Sequence, residues 1–175
     1  MLLGGYMNFE VNGHNIFLIV LVTFLTSALL VPFVTKAAKH VGAMDIPNAR
    51  KAHTKPTPRM GGLAIFAAFL LGYMLFARTS MQMLAVLIGG IIIVLTGVFD
   101  DIKPVPAKIK LVLQIVAACV VVFYGNIVLN HVDMLGLNLD FPVPLNYIIT
   151  IIFIVGITNA INLIDGLDGL SSGVS

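Results

Sequence analysis

Residues 16–34 read IFLIVLVTFLTSALLVPFV, a run without a charged side chain. About 20 apolar residues are what an α-helix needs to cross the hydrocarbon core of a bilayer. Lipid offers the backbone no hydrogen bonds, so such a run must satisfy its own N–H and C=O groups, and a helix does so. Similar runs recur at 61–77, 83–99, 109–124 and 145–163. The expected architecture is an all-α integral membrane protein, a single membrane domain with about five transmembrane helices. The runs are continuously apolar, which excludes the short alternating segments of an outer-membrane barrel.

Composition agrees. Of 175 residues 59% are hydrophobic and 10% charged, against about 25% charged in a soluble domain. The single cysteine, Cys119, lies inside the apolar run LVLQIVAACVVVFYG. One thiol excludes an intramolecular disulfide and a cysteine-built metal site, and it reads as a small buried hydrophobe. A net charge of +2, with no lysine-rich arm or aromatic-interleaved basic patch, speaks against nucleic acid as a partner. The leading MLLGGYMNFEVNGHN has no Lys or Arg. The first run therefore lacks the basic flank of a cleavable signal peptide and reads as a permanent span.

The placement of charge gives an orientation. Six of the ten basic residues, Lys36, Lys39, Arg50, Lys51, Lys55 and Arg59, lie between the first two spans. Lys103, Lys108 and Lys110 lie in DDIKPVPAKIK, where the third span gives way to the fourth. Loops rich in Lys and Arg stay cytoplasmic, so the N-terminus is expected outside and both basic loops inside. Asp100, Asp101, Asp165 and Asp168 then share the cytoplasmic side. The outer segment IVLNHVDMLGLNLDF alternates apolar positions around Gly136, which predicts a short external hairpin between the fourth and fifth spans. In the second span Ala64, Ala68 and Gly72 recur every four residues and form a small-residue stripe suited to helix packing.

Three segments carry the groups that could do chemistry. Asp100 and Asp101 close an apolar helix, where unpaired charge is costly and calls for a positive partner. That partner is either structural, such as Lys103 or a neighbouring loop, or a divalent cation. Mg²⁺ commonly takes one or two carboxylates while substrate phosphates complete its shell. Asn162, Asp165 and Asp168 step by three, drifting by about 60° each time, and share one broad helix face. Gly166 and Gly169 are expected to open this helix end into a turn that approaches a ligand closely, although a polar helix end with a glycine cap would look the same. The loop DIPNARKAHTKPTPRMGG combines Pro47, Pro56 and Pro58 with Arg50, Lys51, His53, Lys55 and Arg59. It is a signal for membrane orientation or a set of held donors for phosphate, and its prolines favour the second. His53 serves as a proton carrier or simply as a hydrogen-bonding group. Carboxylates, amides and a basic loop on one side suggest phosphoryl transfer at the membrane surface.

In that order, DIPNARKAHTKPTPRMGG (45–62), GVFDDIKPVPAKIKLVLQ (97–114) and NAINLIDGLDGL (159–170) resemble three motifs of the bacterial polyprenyl-phosphate N-acetylhexosamine-1-phosphate transferases. RKAH followed by PTPRMGG is more similar to the GlcNAc-1-phosphate branch than to the phospho-MurNAc-pentapeptide branch. The resemblance implies Mg²⁺-dependent transfer of GlcNAc-1-phosphate from UDP-GlcNAc to undecaprenyl phosphate, giving a lipid diphosphate sugar and UMP, with Mn²⁺ as the alternative metal. It further implies a multi-pass protein of the bacterial plasma membrane with a cytoplasmic active face, starting cell-wall polymer, teichoic acid or lipopolysaccharide synthesis. By the same resemblance Asp100 and Asp101 are the catalytic pair, Asp100 activating the lipid phosphate. Asp101, Asp165 and Asp168 are implied as metal ligands. Asn159, Asn162, Arg50, Lys51, His53, Arg59 and Lys103 are implied to bind substrate.

Members of that family are longer, with a further cytoplasmic Asp and a His-rich loop. The chain is therefore expected to be the N-terminal part of a transferase, lacking part of the nucleotide-sugar site and weak or inactive alone. A C-terminal half or a second copy is the partner left open. DGLDG also opens the CDP-alcohol phosphotransferase pattern, but Ser172 and Gly173 stand where that pattern has Ala-Arg. DDIKP lacks the third Asp of an Asp-rich prenyltransferase site. A transporter would carry ionisable groups at the bilayer midplane, whereas the acids here sit at span ends.

Overall fold

A computed structural model describes residues 10–45, 57–134 and 137–164. The chain divides into two compact units.

The first unit opens with β1 (Glu10–Val11) paired antiparallel to β2 (His14–Asn15). The turn between them is Asn12–Gly13, both at positive φ (54° and 80°), the backbone that favours Asn-Gly in tight hairpins. Helix α1 (Ile16–Val41) starts where the Asn15 side chain accepts from the Phe17 N–H at 2.8 Å. It runs past residue 34 into the basic stretch, because helix ends are set by caps and not by the edge of the apolar run. Lys39 and His40 lie in its last turn, where the helix dipole favours cations. Gly42 at φ 78° ends it in the left-handed conformation, its N–H donating to the Ala38 carbonyl. After β3 (Met44–Asp45), paired with β4 (Thr57–Pro58), α2 spans Gly61–Phe76. Its buried residues are Ala64, Ala68 and Gly72, the stripe expected from the sequence. The stripe faces α1, and a Cβ at Gly72 would overlap the Thr23 methyl.

The second unit carries α3 (Met81–Ile102), α4 (Ala107–Cys119) and α5 (Leu145–Ile164). The Ser80 hydroxyl caps α3 by accepting from the Met83 N–H at 3.1 Å. α4 continues as one π-helical turn, Val120–Tyr124. Gly89 of α3 packs on this junction, where an added Cβ would lie 2.9 Å from Val121 Cγ2 and 3.2 Å from the Ala117 carbonyl oxygen. β5 (His131–Met134) and β6 (Leu137–Asp140) pair antiparallel, with His131 opposite Asp140, so a hairpin stands between the fourth and fifth helices. A polar knot ties its base to α5. The Asn146 amide donates to Asn130 Oδ1 at 3.0 Å, and the Thr150 hydroxyl accepts from the Leu129 N–H at 2.9 Å.

The packing is that of a membrane protein. Among the described residues the buried apolar side chains are mainly alanines, and the largest fully buried one is Val122. Large apolar side chains point outward instead, with Phe17 and Leu29 both 68% exposed. Small residues let helices approach where lipid removes the hydrophobic drive between them. Ile16–Val41, Met81–Ile102, Ala107–Tyr124 and Leu145–Asn162 are long and apolar enough to cross a membrane, and Gly61–Phe76 is a shorter apolar helix. Cys119 is half-buried, more open than the small buried hydrophobe expected there.

Candidate active site

The site grows from the end of α3. Pro104 cannot continue a helix, and the residue before a proline is driven out of helical geometry. Lys103 accordingly sits extended at φ −143°, ψ 121°, and residues 103–106 form a short link to α4. The acidic pair falls in the last turn of α3, at the negative end of its dipole, where carboxylates need a cation. For Asp100 that cation is Lys110, whose Nζ donates to Oδ2 at 2.6 Å. The other oxygen, Oδ1, accepts from the Val105 N–H at 2.8 Å. Asp100 thus clasps the α3–α4 link from both sides. The two side chains keep 27% (Lys110) and 30% (Asp100) of their surface exposed, so the pair is neither dry nor fully solvated. Asp101 is half-buried beside it.

α4 packs against both α3 and α5. Its inner face runs from Lys110 through Gln114 to Ala117, Ala118 and Val122, polar at one end and apolar at the other. Gln114 is 6% exposed. Its Oε1 accepts from Asn159 Nδ2 of α5 at 2.8 Å, and the same Nδ2 donates to the Val155 carbonyl at 2.9 Å. Residues four apart on a helix are neighbours on one face, with about 5–6 Å between Cβ atoms. One turn of α4 therefore joins the acidic pair of α3 to the Asn motif of α5.

Beside this link, α3 and α4 enclose a groove of about 590 Å³. Ile92, Leu95, Phe99, Ile109 and Leu113 make it apolar, and among the described residues Lys103 is the charged side chain on its lining.

The expected site residues separate into groups. Asp100, Asp101, Lys103, Asn159 and Asn162 belong to the second unit, with Asn162 exposed near the end of α5. Arg59 belongs to the first unit, exposed, with its N–H donating to the Ala43 carbonyl at 3.1 Å. Arg50, Lys51, His53, Asp165 and Asp168 lie outside the described residues. Lys110, rather than Lys103, holds Asp100. Neither Lys110 nor Gln114 was singled out from the sequence. A lone Gln within the run IKLVLQIVAACVVV was the available signal, since a polar side chain in an apolar span calls for a partner.

Among the described residues no group of three or more His, Cys, Asp or Glu is placed to hold a metal. The donor set offered there is the pair Asp100 and Asp101, with one carboxylate engaged by Lys110. Asp100 already accepts at both of its oxygens, and a carboxylate donor such as Asp101 fits Mg²⁺, which keeps waters and takes the rest of its shell from phosphates.

The model of a family described as glycosyl transferase family 4 matches residues 83–175, the stretch holding the acidic pair, Lys110, Gln114 and Asn159. The chain is 40% identical over 157 residues to a "Probable undecaprenyl-phosphate N-acetylglucosaminyl 1-phosphate transferase" of Bacillus subtilis (strain 168), covering 89% of this chain and 44% of the relative. It is 35% identical over 166 residues to a "Decaprenyl-phosphate N-acetylglucosaminephosphotransferase" of Mycobacterium tuberculosis (strain CDC 1551 / Oshkosh), covering 86% and 41%. An "Undecaprenyl-phosphate alpha-N-acetylglucosaminyl 1-phosphate transferase" of Escherichia coli O157:H7 is 30% identical over 155 residues, covering 87% and 42%. The chain spans less than half the length of these curated relatives.

Proposed function

The chain belongs to glycosyl transferase family 4, and on that premise we propose that it forms part of an enzyme transferring GlcNAc-1-phosphate from UDP-GlcNAc to undecaprenyl phosphate, with release of UMP. The observation that carries the reading is the single turn of α4 that holds Asp100 through Lys110 and Asn159 through Gln114. Asp100 and Asn159, far apart in sequence, are both held by one helix face, as a site for a charged, hydroxyl-rich donor needs. Two of the relatives above are named as undecaprenyl-phosphate N-acetylglucosaminyl 1-phosphate transferases, which supports the reading.

In the reaction the acceptor phosphate oxygen bonds to the β-phosphorus of UDP-GlcNAc while the bond to the α-phosphate oxygen breaks, and UMP leaves. A phosphate monoester has its second pKa near about 6, so at neutral pH the acceptor is already largely a dianion and needs little help from a base. Asp100 then acts chiefly by holding Lys110 and the α3–α4 link, and Lys110 and Lys103 supply positive charge to the phosphates. Asp101, with Asp165 and Asp168, would hold Mg²⁺ or Mn²⁺. Bound there, the cation would neutralise the diphosphate and stabilise the departing UMP. The apolar groove between α3 and α4 suits an isoprenoid tail, with Lys103 meeting the phosphate at its head. The active face is cytoplasmic, the membrane is the bacterial plasma membrane, and Arg50, Lys51 and His53 add donors from the basic loop.

The test is UMP release from UDP-GlcNAc by protein expressed from its complete reading frame, with undecaprenyl phosphate and Mg²⁺. Electrostatic stabilisation of transferring phosphate is worth several kcal/mol, and about 1.4 kcal/mol is a factor of ten, so Asp101→Asn should lower the rate by about a hundredfold or more. Turnover of UDP-MurNAc-pentapeptide in place of UDP-GlcNAc would move the protein to the other branch. No turnover of either donor would sink the reading.

A further inference from the structure

We propose that Gln114 is a positioning residue of this site: its buried amide oxygen fixes the orientation of Asn159, and through Asn159 the hold on the nucleotide sugar. The inference rests on the transfer reaction proposed above.

An amide at 6% exposure inside an apolar helix is costly unless it is hydrogen-bonded. The bond Gln114 makes is to Asn159, 45 residues away on another helix. It is therefore a tertiary contact and does nothing for α4 alone. The detail lies in the donor count. A side-chain amide nitrogen carries two hydrogens. Asn159 directs them to the Val155 carbonyl at 2.9 Å and to Gln114 Oε1 at 2.8 Å, so both are used. Turning the Asn159 amide over would set its oxygen against the Val155 carbonyl and against Gln114 Oε1, acceptor against acceptor. The Val155 carbonyl thus selects one orientation of Asn159, and Gln114 locks it.

In the locked state Asn159 Oδ1 has no partner among the described residues. It is presented as an acceptor in a fixed direction, fit for an N–H or O–H group of the donor sugar or base. Gln114 acts through Asn159, supplying the acceptor that keeps Oδ1 in place. Lys110, one turn earlier on α4, ties the same helix to Asp100. A change in the seating of α4 would disturb both contacts together.

The experiment compares Gln114→Met, Gln114→Glu, Asn159→Ala and the double variant Gln114→Met/Asn159→Ala with wild type. Each is expressed from the complete reading frame and read by the KM for UDP-GlcNAc, the KM for undecaprenyl phosphate, kcat and the melting temperature in detergent. Gln114→Met keeps the volume and removes the acceptor. It should raise the UDP-GlcNAc KM by about tenfold, the scale of one neutral hydrogen bond, and leave the undecaprenyl phosphate KM within about twofold. The double variant should be no worse than Asn159→Ala alone, because residues acting as one unit are not additive. Gln114→Glu keeps an oxygen in place and should recover most of the lost affinity. An unchanged UDP-GlcNAc KM in Gln114→Met would overturn the inference. So would effects that multiply in the double variant, or a KM change that follows the melting temperature and is not restored by Gln114→Glu. If Gln114→Met does not fold, Asn159→Asp replaces it, removing the donor while keeping side-chain oxygens; a wild-type KM there overturns the inference. A wild type that releases no UMP overturns the transfer reading and this inference with it, whereas an active wild type indifferent to these changes overturns this inference alone.

Discussion

Lys110 and Gln114 stand one turn apart on α4 and hold different helices, Lys110 reaching Asp100 at the end of α3 and Gln114 reaching Asn159 on α5. The helix between the two motifs is the part that unites them. Polar contacts occupy one end of its inner face, and Ala117, Ala118 and Val122 pack the other.

The Asp100–Lys110 pair is about 30% exposed on each side, so solvent screens it and its worth is on the order of 1 kcal/mol. For a chain of this size that corresponds to about 2–4 °C in melting temperature. Lys110→Met should lower it by that amount, and Asp100→Asn added to Lys110→Met should lower it little further. Fully additive losses would show that the two side chains do not act on each other.

Gly72 has no room for a side chain against Thr23. Gly72→Leu should force α2 off α1 at a cost of about 1–3 kcal/mol. Gly62 on the same helix has open space beside it, so Gly62→Ala should stay within about 0.5 kcal/mol of wild type. Equal melting temperatures for the two variants would refute the stripe as a packing face.

Gly89 is crowded by Val121 and by the Ala117 backbone, while Gly97, two turns along α3, meets nothing within 4 Å. Gly89→Val should wedge α3 from α4 and reduce both stability and UMP release. Gly97→Ala should leave both intact or raise stability by up to about 1 kcal/mol, the difference in helix propensity. A benign Gly89→Val would mean the α3–α4 contact is looser than described.

Orientation is open to direct labelling. With Cys119→Ala as background, a cysteine at Lys108 should react with an impermeant maleimide only from the cytoplasmic side. One at Leu139 in the hairpin, half exposed, should react from outside. The reverse pattern would invert the topology and remove the site from the cytoplasmic face.

The helices were legible because each is written as a continuous apolar run, and the small-residue stripe because its period matches a helix. Their ends were less so. α1 continues to Val41 through Lys36 and Lys39, since a helix outlasts the lipid until Gly42 stops it. α3 likewise includes Asp100 and Asp101, ending only where Pro104 intervenes. The acidic pair and the Asn motif stood out as polar groups in a greasy chain. Their partners did not, because Lys110 resembles any basic loop residue and Gln114 pairs across 45 residues, a distance no local pattern encodes.

The most direct measurement follows one atom. Give the protein, expressed from its complete reading frame, UDP-GlcNAc carrying a labelled β-phosphorus, together with undecaprenyl phosphate and Mg²⁺, and separate lipid from nucleotide products. Transfer of GlcNAc-1-phosphate moves the label into the lipid and leaves unlabelled UMP. Label retained in UDP would mean that sugar alone is transferred, and would contradict the account.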